Sequence, residues 1–130
     1  MEHHTILVID DDAELRESIR DALTTAGYVV LEASSGESGL RSAFEHKPHL
    51  IILDIAMPQM NGYQVLEKLR KDTWGKEVKV ILLTALDSLA SIAKGVDLSS
   101  SAYMVKSEVT LESLIKTVEH HLAGYKIDPT

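Results

Sequence analysis

The segment Thr5–Asp12, TILVIDDD, decides the fold. Its first five residues are a nearly unbroken apolar run rich in β-branched side chains, and its last three are aspartates. A strand that is apolar on both faces has no side to offer water, so it belongs inside a parallel sheet covered by helices above and below. The pattern returns at Leu50–Asp54, LIILD, again an apolar run closed by an aspartate.

The rest of the chain alternates around these two runs. After the aspartates, Leu15, Ile19, Ala22 and Ala26 fall at helical spacing, with Asp12 placed to cap that helix and Gly27 to end it. Tyr28–Ala33 (YVVLEA) reads as a second strand. Ser35 then caps a helix with Leu40, Ala43 and Phe44 on one face, closed by Pro48. Beyond Asp54, Met57-Pro58 and Asn61-Gly62 punctuate a loop before a helix marked by Val65, Leu66 and Leu69. Val78–Leu83 (VKVILL) is a fourth strand ending at Thr84, and Leu89, Ile92, Ala93 and Val96 mark a fourth helix. Tyr103–Val105 is a short fifth strand ending at Lys106. The last helix carries Leu111, Leu114, Ile115, Val118 and Leu122, with Thr110 as N-cap and Val109 and Leu114 at hydrophobic-staple spacing. Five strands alternating with five helices give an α/β domain. With no repeat or linker, residues 1–130 read as one domain, its core near 5–123 and its tails, 1–4 and 124–130, loose.

Composition narrows the function. The 130 residues include no cysteine, which excludes a disulfide framework, a zinc ribbon and a thiol nucleophile. Thirteen basic against twenty acidic residues leave a net charge of −7, which argues against direct nucleic-acid binding. No apolar run has membrane-spanning length and no signal peptide opens the chain, so a soluble cytoplasmic domain is expected.

In open parallel sheets, ligands bind beyond the carboxyl ends of the strands, where strand order reverses. Asp10, Asp11 and Asp12 follow the first strand, Asp54 the third, Thr84 the fourth and Lys106 the fifth. Carboxylates gathered on one rim repel each other and call for a cation. A hard oxygen site with few carboxylates suits Mg²⁺. Metal, ammonium, hydroxyl donor and carboxylate nucleophile are together the parts for phosphoryl transfer to an aspartate.

These residues, ILVIDD (Asp10, Asp11), LIILDIAMPQMNG (Asp54), ILLTA (Thr84) and AYMVK (Tyr103, Lys106), resemble the receiver domain of two-component response regulators, of the chemotaxis-receiver kind, over about residues 5–123. The resemblance implies a flavodoxin-like, doubly wound five-stranded sheet of order 2-1-3-4-5 in three α/β/α layers. It implies Asp54 as phosphoacceptor, and Asp11, Asp10 (mostly through water), Asp54 and the Ala56 backbone carbonyl around Mg²⁺. Thr84 would hydrogen-bond the phosphoryl group and Lys106 pair with Asp54 or its phosphate. Thr84 and Tyr103 would form the switch, with output through the fourth helix, fifth strand and last helix. The implied partners are a histidine kinase or histidine phosphotransfer protein, an output partner or domain, and a second copy through that same face. Such a domain is no enzyme beyond catalysing its own phosphorylation and dephosphorylation.

The chain departs from the family pattern in three respects. Ser107 follows Lys106 where proline is usual, so the Lys106–Ser107 bond is either trans with a shifted loop or a strained cis bond, and the cost of about 3–4 kcal/mol for cis favours trans. Ser99-Ser100-Ser101-Ala102 replaces a glycine-alanine pair, which changes the loop before the fifth strand. Ala56 and Leu86, two residues after Asp54 and Thr84, cannot orient a water, so slow self-dephosphorylation is expected, read as a long phospho-Asp54 lifetime.

The remaining signals read as structural: Asp12 as a cap, the six histidines as surface residues with His3-His4 in a frayed tail, and Trp74 in a solvent-facing loop. Asp10-x-Asp12 also admits a metal-dependent phosphatase with its nucleophile on the first strand, although Ala13-Glu14 does not continue that motif. A flavin or nucleotide carrier lacks its glycine-rich loop. The domain either stands alone or is part of a longer protein.

Overall fold

A computed structural model describes residues 3–85 and 100–123. The strands are β1 (Thr5–Ile9), β2 (Val29–Ala33), β3 (Leu50–Asp54), β4 (Lys79–Thr84) and β5 (Ala102–Val105). The described helices are α1 (Ala13–Thr25), α2 (Gly36–His46), α3 (Gly62–Arg70) and α4 (Leu111–Leu122). The fourth helix expected around Leu89–Val96, together with Leu86, Ser99 and the tail 124–130, lies outside the described residues. The strands form one parallel sheet of order β2-β1-β3-β4-β5. This is the doubly wound arrangement expected, and its order reverses at β1, between β2 and β3.

Alternation along each central strand divides the core into two layers. Leu7, Ile9, Ile51, Leu53 and Leu82 face α2 and α3, packing on Leu40, Ala43, Val65, Leu66 and Leu69. Ile6, Val8, Leu50, Ile52, Ile81 and Leu83 face α1 and α4, packing on Ile19, Leu23, Leu114, Val118 and Leu122. Both faces of β1 and β3 are therefore dry, which is why their sequences read as continuous apolar runs rather than alternating ones.

The caps follow the sequence closely. Asp12 Oδ1 accepts from the N–H groups of Glu14 and Leu15 at the start of α1. Ser35 caps α2, and Thr110 forms a capping box with Ser113 at α4. Gly27, at φ +102°, turns the chain out of α1 in a conformation a side chain would resist. Asn61 is the N-cap of α3 and Gly62 its first residue, so this pair starts the helix rather than only marking the loop.

Several expectations need correction. Ala26 is exposed although it continues the spacing of the buried Ile19 and Leu23, because α1 ends at Thr25 and Ala26 is its C-cap. Phe44 and Leu111 sit at the margins of their helix faces and are exposed. Trp74 is half-buried rather than solvent-facing, set edge-on to Phe44 at a centroid distance of 6.4 Å. His4 is not frayed: its carbonyl accepts from the Val29 N–H at 3.0 Å, and its ring stands against His49 at 5.0 Å. His121, also half-buried, places Nδ1 2.8 Å from the Thr117 carbonyl and Nε2 3.1 Å from that of Ser101. Ser101, just before β5, extends the sheet, since its N–H donates to the Val80 carbonyl and its Oγ accepts from the Val80 N–H.

Candidate functional site

The reversal of strand order opens a crevice between the carboxyl ends of β1 and β3, and the acids project there. Asp54 is the last residue of β3 and 1% exposed; Asp10 follows β1 and is fully buried. Asp11 is exposed at the rim. One carboxylate oxygen from each of Asp10, Asp11 and Asp54 lies within 4.8 Å of the others. Lys106, just past β5, reaches over the crevice, its Nζ 3.1 Å from Asp54 Oδ1 and 3.3 Å from Asp10 Oδ2. Residues from three parts of the chain thus meet at one point, as their positions at strand ends require.

Backbone groups orient the acids. The Ala56 N–H donates to Asp54 Oδ1 at 3.2 Å, and the Asp12 N–H to Asp10 Oδ1 at 2.9 Å. Asp54 Oδ2 is buried and accepts no hydrogen bond, and the buried Asp10 Oδ2 has only the Lys106 ammonium beside it, at 3.3 Å. Buried carboxylate oxygens left without a donor are unusual and costly. Such an oxygen on Asp54, in a carboxylate cluster with Asp10 and the exposed Asp11, fits a hard divalent cation. Burial, and next the Asp10 carboxylate, pushes the Asp54 carboxyl up to about 6 despite the opposing pull of Lys106 and the Ala56 N–H. Burial pulls the Lys106 ammonium the other way, but the charges and hydrogen bonds of Asp10 and Asp54 prevail and raise it above an ordinary lysine.

Thr84 ends β4 and is buried, and its carbonyl accepts the Lys106 N–H at 2.6 Å. Tyr103 pairs with Leu82 across β4 and β5 and packs, half-buried, against the α2/α3 core. The Lys106–Ser107 peptide is trans. Asp12 spends its carboxylate on capping α1, so the Asp10-x-Asp12 pattern does not place a second catalytic acid beside Asp10.

Two residues at the site were not anticipated. Gly62 packs against the backbone of the phosphoacceptor candidate: a Cβ there would lie 2.5 Å from the Asp54 carbonyl oxygen and 2.8 Å from Ile55 Cα. Arg16 Nη1 donates to the Asp10 carbonyl at 2.7 Å. A glycine opening a helix beside a strand-end acid signals close approach, but the contact of Arg16 is set by the turn from β1 into α1 and has no pattern in the sequence.

Comparison with known proteins agrees with this geometry. The family described as "Response regulator receiver domain" matches residues 6–119. The chain is 38% identical over 115 residues to the "Probable transcriptional regulator ycf27" of Guillardia theta, covering 87% of this chain and 44% of that protein. It is 38% identical over 120 residues to the "Transcriptional regulatory protein HprR" of Escherichia coli, covering 89% of this chain and 52% of that one. The chain therefore spans about half the length of these curated relatives. Among solved structures, the Vibrio cholerae chemotaxis protein CheY4 superposes with a TM-score of 0.88 at 27% identity, over 93% of this chain and all of that one.

Proposed function

The chain belongs to the response regulator receiver domain family and works in two-component signalling; from that premise we propose that Asp54 is its phosphoacceptor and that Asp10, Asp11, Asp54 and the Ala56 carbonyl hold Mg²⁺. The observation that supports this reading most directly is the state of the Asp54 carboxylate. Oδ1 is held by the Ala56 N–H and the Lys106 ammonium, while Oδ2 is left without a donor inside the acid cluster.

A carboxylate oxygen of Asp54 attacks the phosphorus of a phosphohistidine on a kinase or phosphotransfer protein. The O–P bond forms as the N–P bond breaks, and the departing imidazole takes up a proton. The attacking and incoming groups are both anionic, so the chemistry needs positive charge already in place. Bound Mg²⁺ would neutralise that charge between the carboxylates and the phosphoryl oxygens. Lys106 supplies a fixed cation, and Thr84 a hydroxyl for a phosphoryl oxygen. Movement of Thr84 and Tyr103 carries the change to β5 and α4, the described part of the output face, which serves an output partner or a second copy of the chain. With Ala56 apolar, the acyl phosphate hydrolyses slowly. The phosphatase reading has no support: Asp10 is buried beneath Lys106, and Asp12 is a helix cap.

The test is incubation with a small-molecule phosphodonor and Mg²⁺, followed by intact-mass measurement. The wild type gains one phosphoryl group, chelation abolishes the gain, and Asp54→Asn shows none. Undiminished labelling of Asp54→Asn would overturn the assignment.

A further inference from the structure

Every polar group of Asp10 is engaged or aimed. Its N–H donates to the Ala33 carbonyl at 3.1 Å, Oδ1 accepts from the Asp12 N–H, and Oδ2 faces Lys106. Its carbonyl accepts from Arg16 Nη1 at 2.7 Å, a short, charge-assisted bond. That carbonyl belongs to the planar peptide unit joining Asp10 to Asp11, so its orientation fixes how the two carboxylates leave the chain relative to each other.

Arg16 is itself anchored. Its Nε donates to Glu32 Oε1 on β2 at 3.2 Å, and its side chain is only 16% exposed. The other Glu32 oxygen accepts from Arg20 Nη1 at 3.0 Å. The fork of the guanidinium thus spans a backbone carbonyl on one side and a carboxylate on the other, which the single nitrogen of a lysine does not reproduce. Glu32 balances the charge of Arg16, so the site gains a rigid donor with little added repulsion toward a metal.

We infer that Arg16, pinned to Glu32, is a positioning residue that holds the Asp10–Asp11 peptide in the orientation from which both carboxylates reach one divalent cation. This rests on the reading of those acids as the Mg²⁺ site. Outer-shell partners of metal ligands typically change affinity by about 10–100-fold when removed.

The test exploits opposite signs. Removing a cation near an anionic site should tighten metal binding by Coulomb's law, whereas losing the positioning bond should weaken it. Mg²⁺ affinity is measured by isothermal titration calorimetry with magnesium chloride, on variants whose folding is checked by circular dichroism. Arg16→Met is expected to bind about tenfold more weakly than wild type. Arg16→Lys keeps the charge but loses the fork, is expected to weaken binding in the same direction, and decides the matter if Arg16→Met does not fold. Arg20→Met, which loosens Glu32 but leaves the Asp10 carbonyl bonded, should stay within about twofold of wild type. Unchanged or tighter binding in both Arg16 variants, or equal weakening in Arg20→Met, would overturn the inference while leaving the metal site standing. Failure of the wild type to bind Mg²⁺ would instead remove the metal site and this inference with it.

Discussion

At Asp54, burial and the neighbouring Asp10 set an electrostatic cost on the ionised carboxylate. The carboxyl titrates near 6 when folded, against an ordinary 3.8. Between those values the folded state holds a proton that the unfolded state has lost, so stability falls as pH rises through that window and stays lower above it. Asp54→Asn removes the ionisation. At about pH 7.5 it should therefore be more stable than the wild type by on the order of 2 kcal/mol, and near pH 4 the difference should close. Thermal midpoints of the two proteins across that range check this, and a wild type that matches or exceeds the variant at the higher pH would contradict it. The meeting of Asp10, Asp54 and Lys106 was readable in advance, because each terminates an apolar run and strand ends are local features. Arg16 was not, because its partner depends on where a helix side chain lands after a turn.

Among the elements, α3 starts hard against the proposed phosphoacceptor. Its first residue touches the backbone at Asp54 and Ile55. By helix propensity alone, Gly62→Ala should stabilise a helix by up to about 1 kcal/mol. In this position the added methyl meets backbone that cannot swing away, so the sign reverses: the variant should lose about 1–3 kcal/mol in urea denaturation and phosphorylate more slowly as Asp54 is displaced. A gain in stability would show that the loop yields. Helix starts were legible, since Asp12, Ser35 and Thr110 cap through their own side chains. Helix margins were not. Phe44 and Leu111 satisfy the spacing of a buried stripe, yet what covers them is decided by distant neighbours. His4 and Trp74 erred in the opposite direction, looking like tail and loop until the His49 and Phe44 rings were brought alongside.

Across the whole molecule, two dry layers on either side of one sheet account for the fold, and the acid cluster sits at their common upper edge. The layers were implied by β1 and β3, whose residues have no wet face. Because the layers need no metal, stripping divalent ions with a chelator should leave the far-ultraviolet circular dichroism spectrum unchanged while abolishing phosphorylation. Adding Mg²⁺ at 100 times its dissociation constant should then raise stability by about 2.7 kcal/mol. A chain that unfolds on chelation would refute this. The reason lies in Lys106, whose ammonium already stands between Asp10 and Asp54. The domain carries a resident counter-ion of its own, so a newly synthesised chain is expected to reach its native shape before any metal arrives, and under the proposed function the supply of magnesium would govern when it can receive a signal rather than whether it can exist.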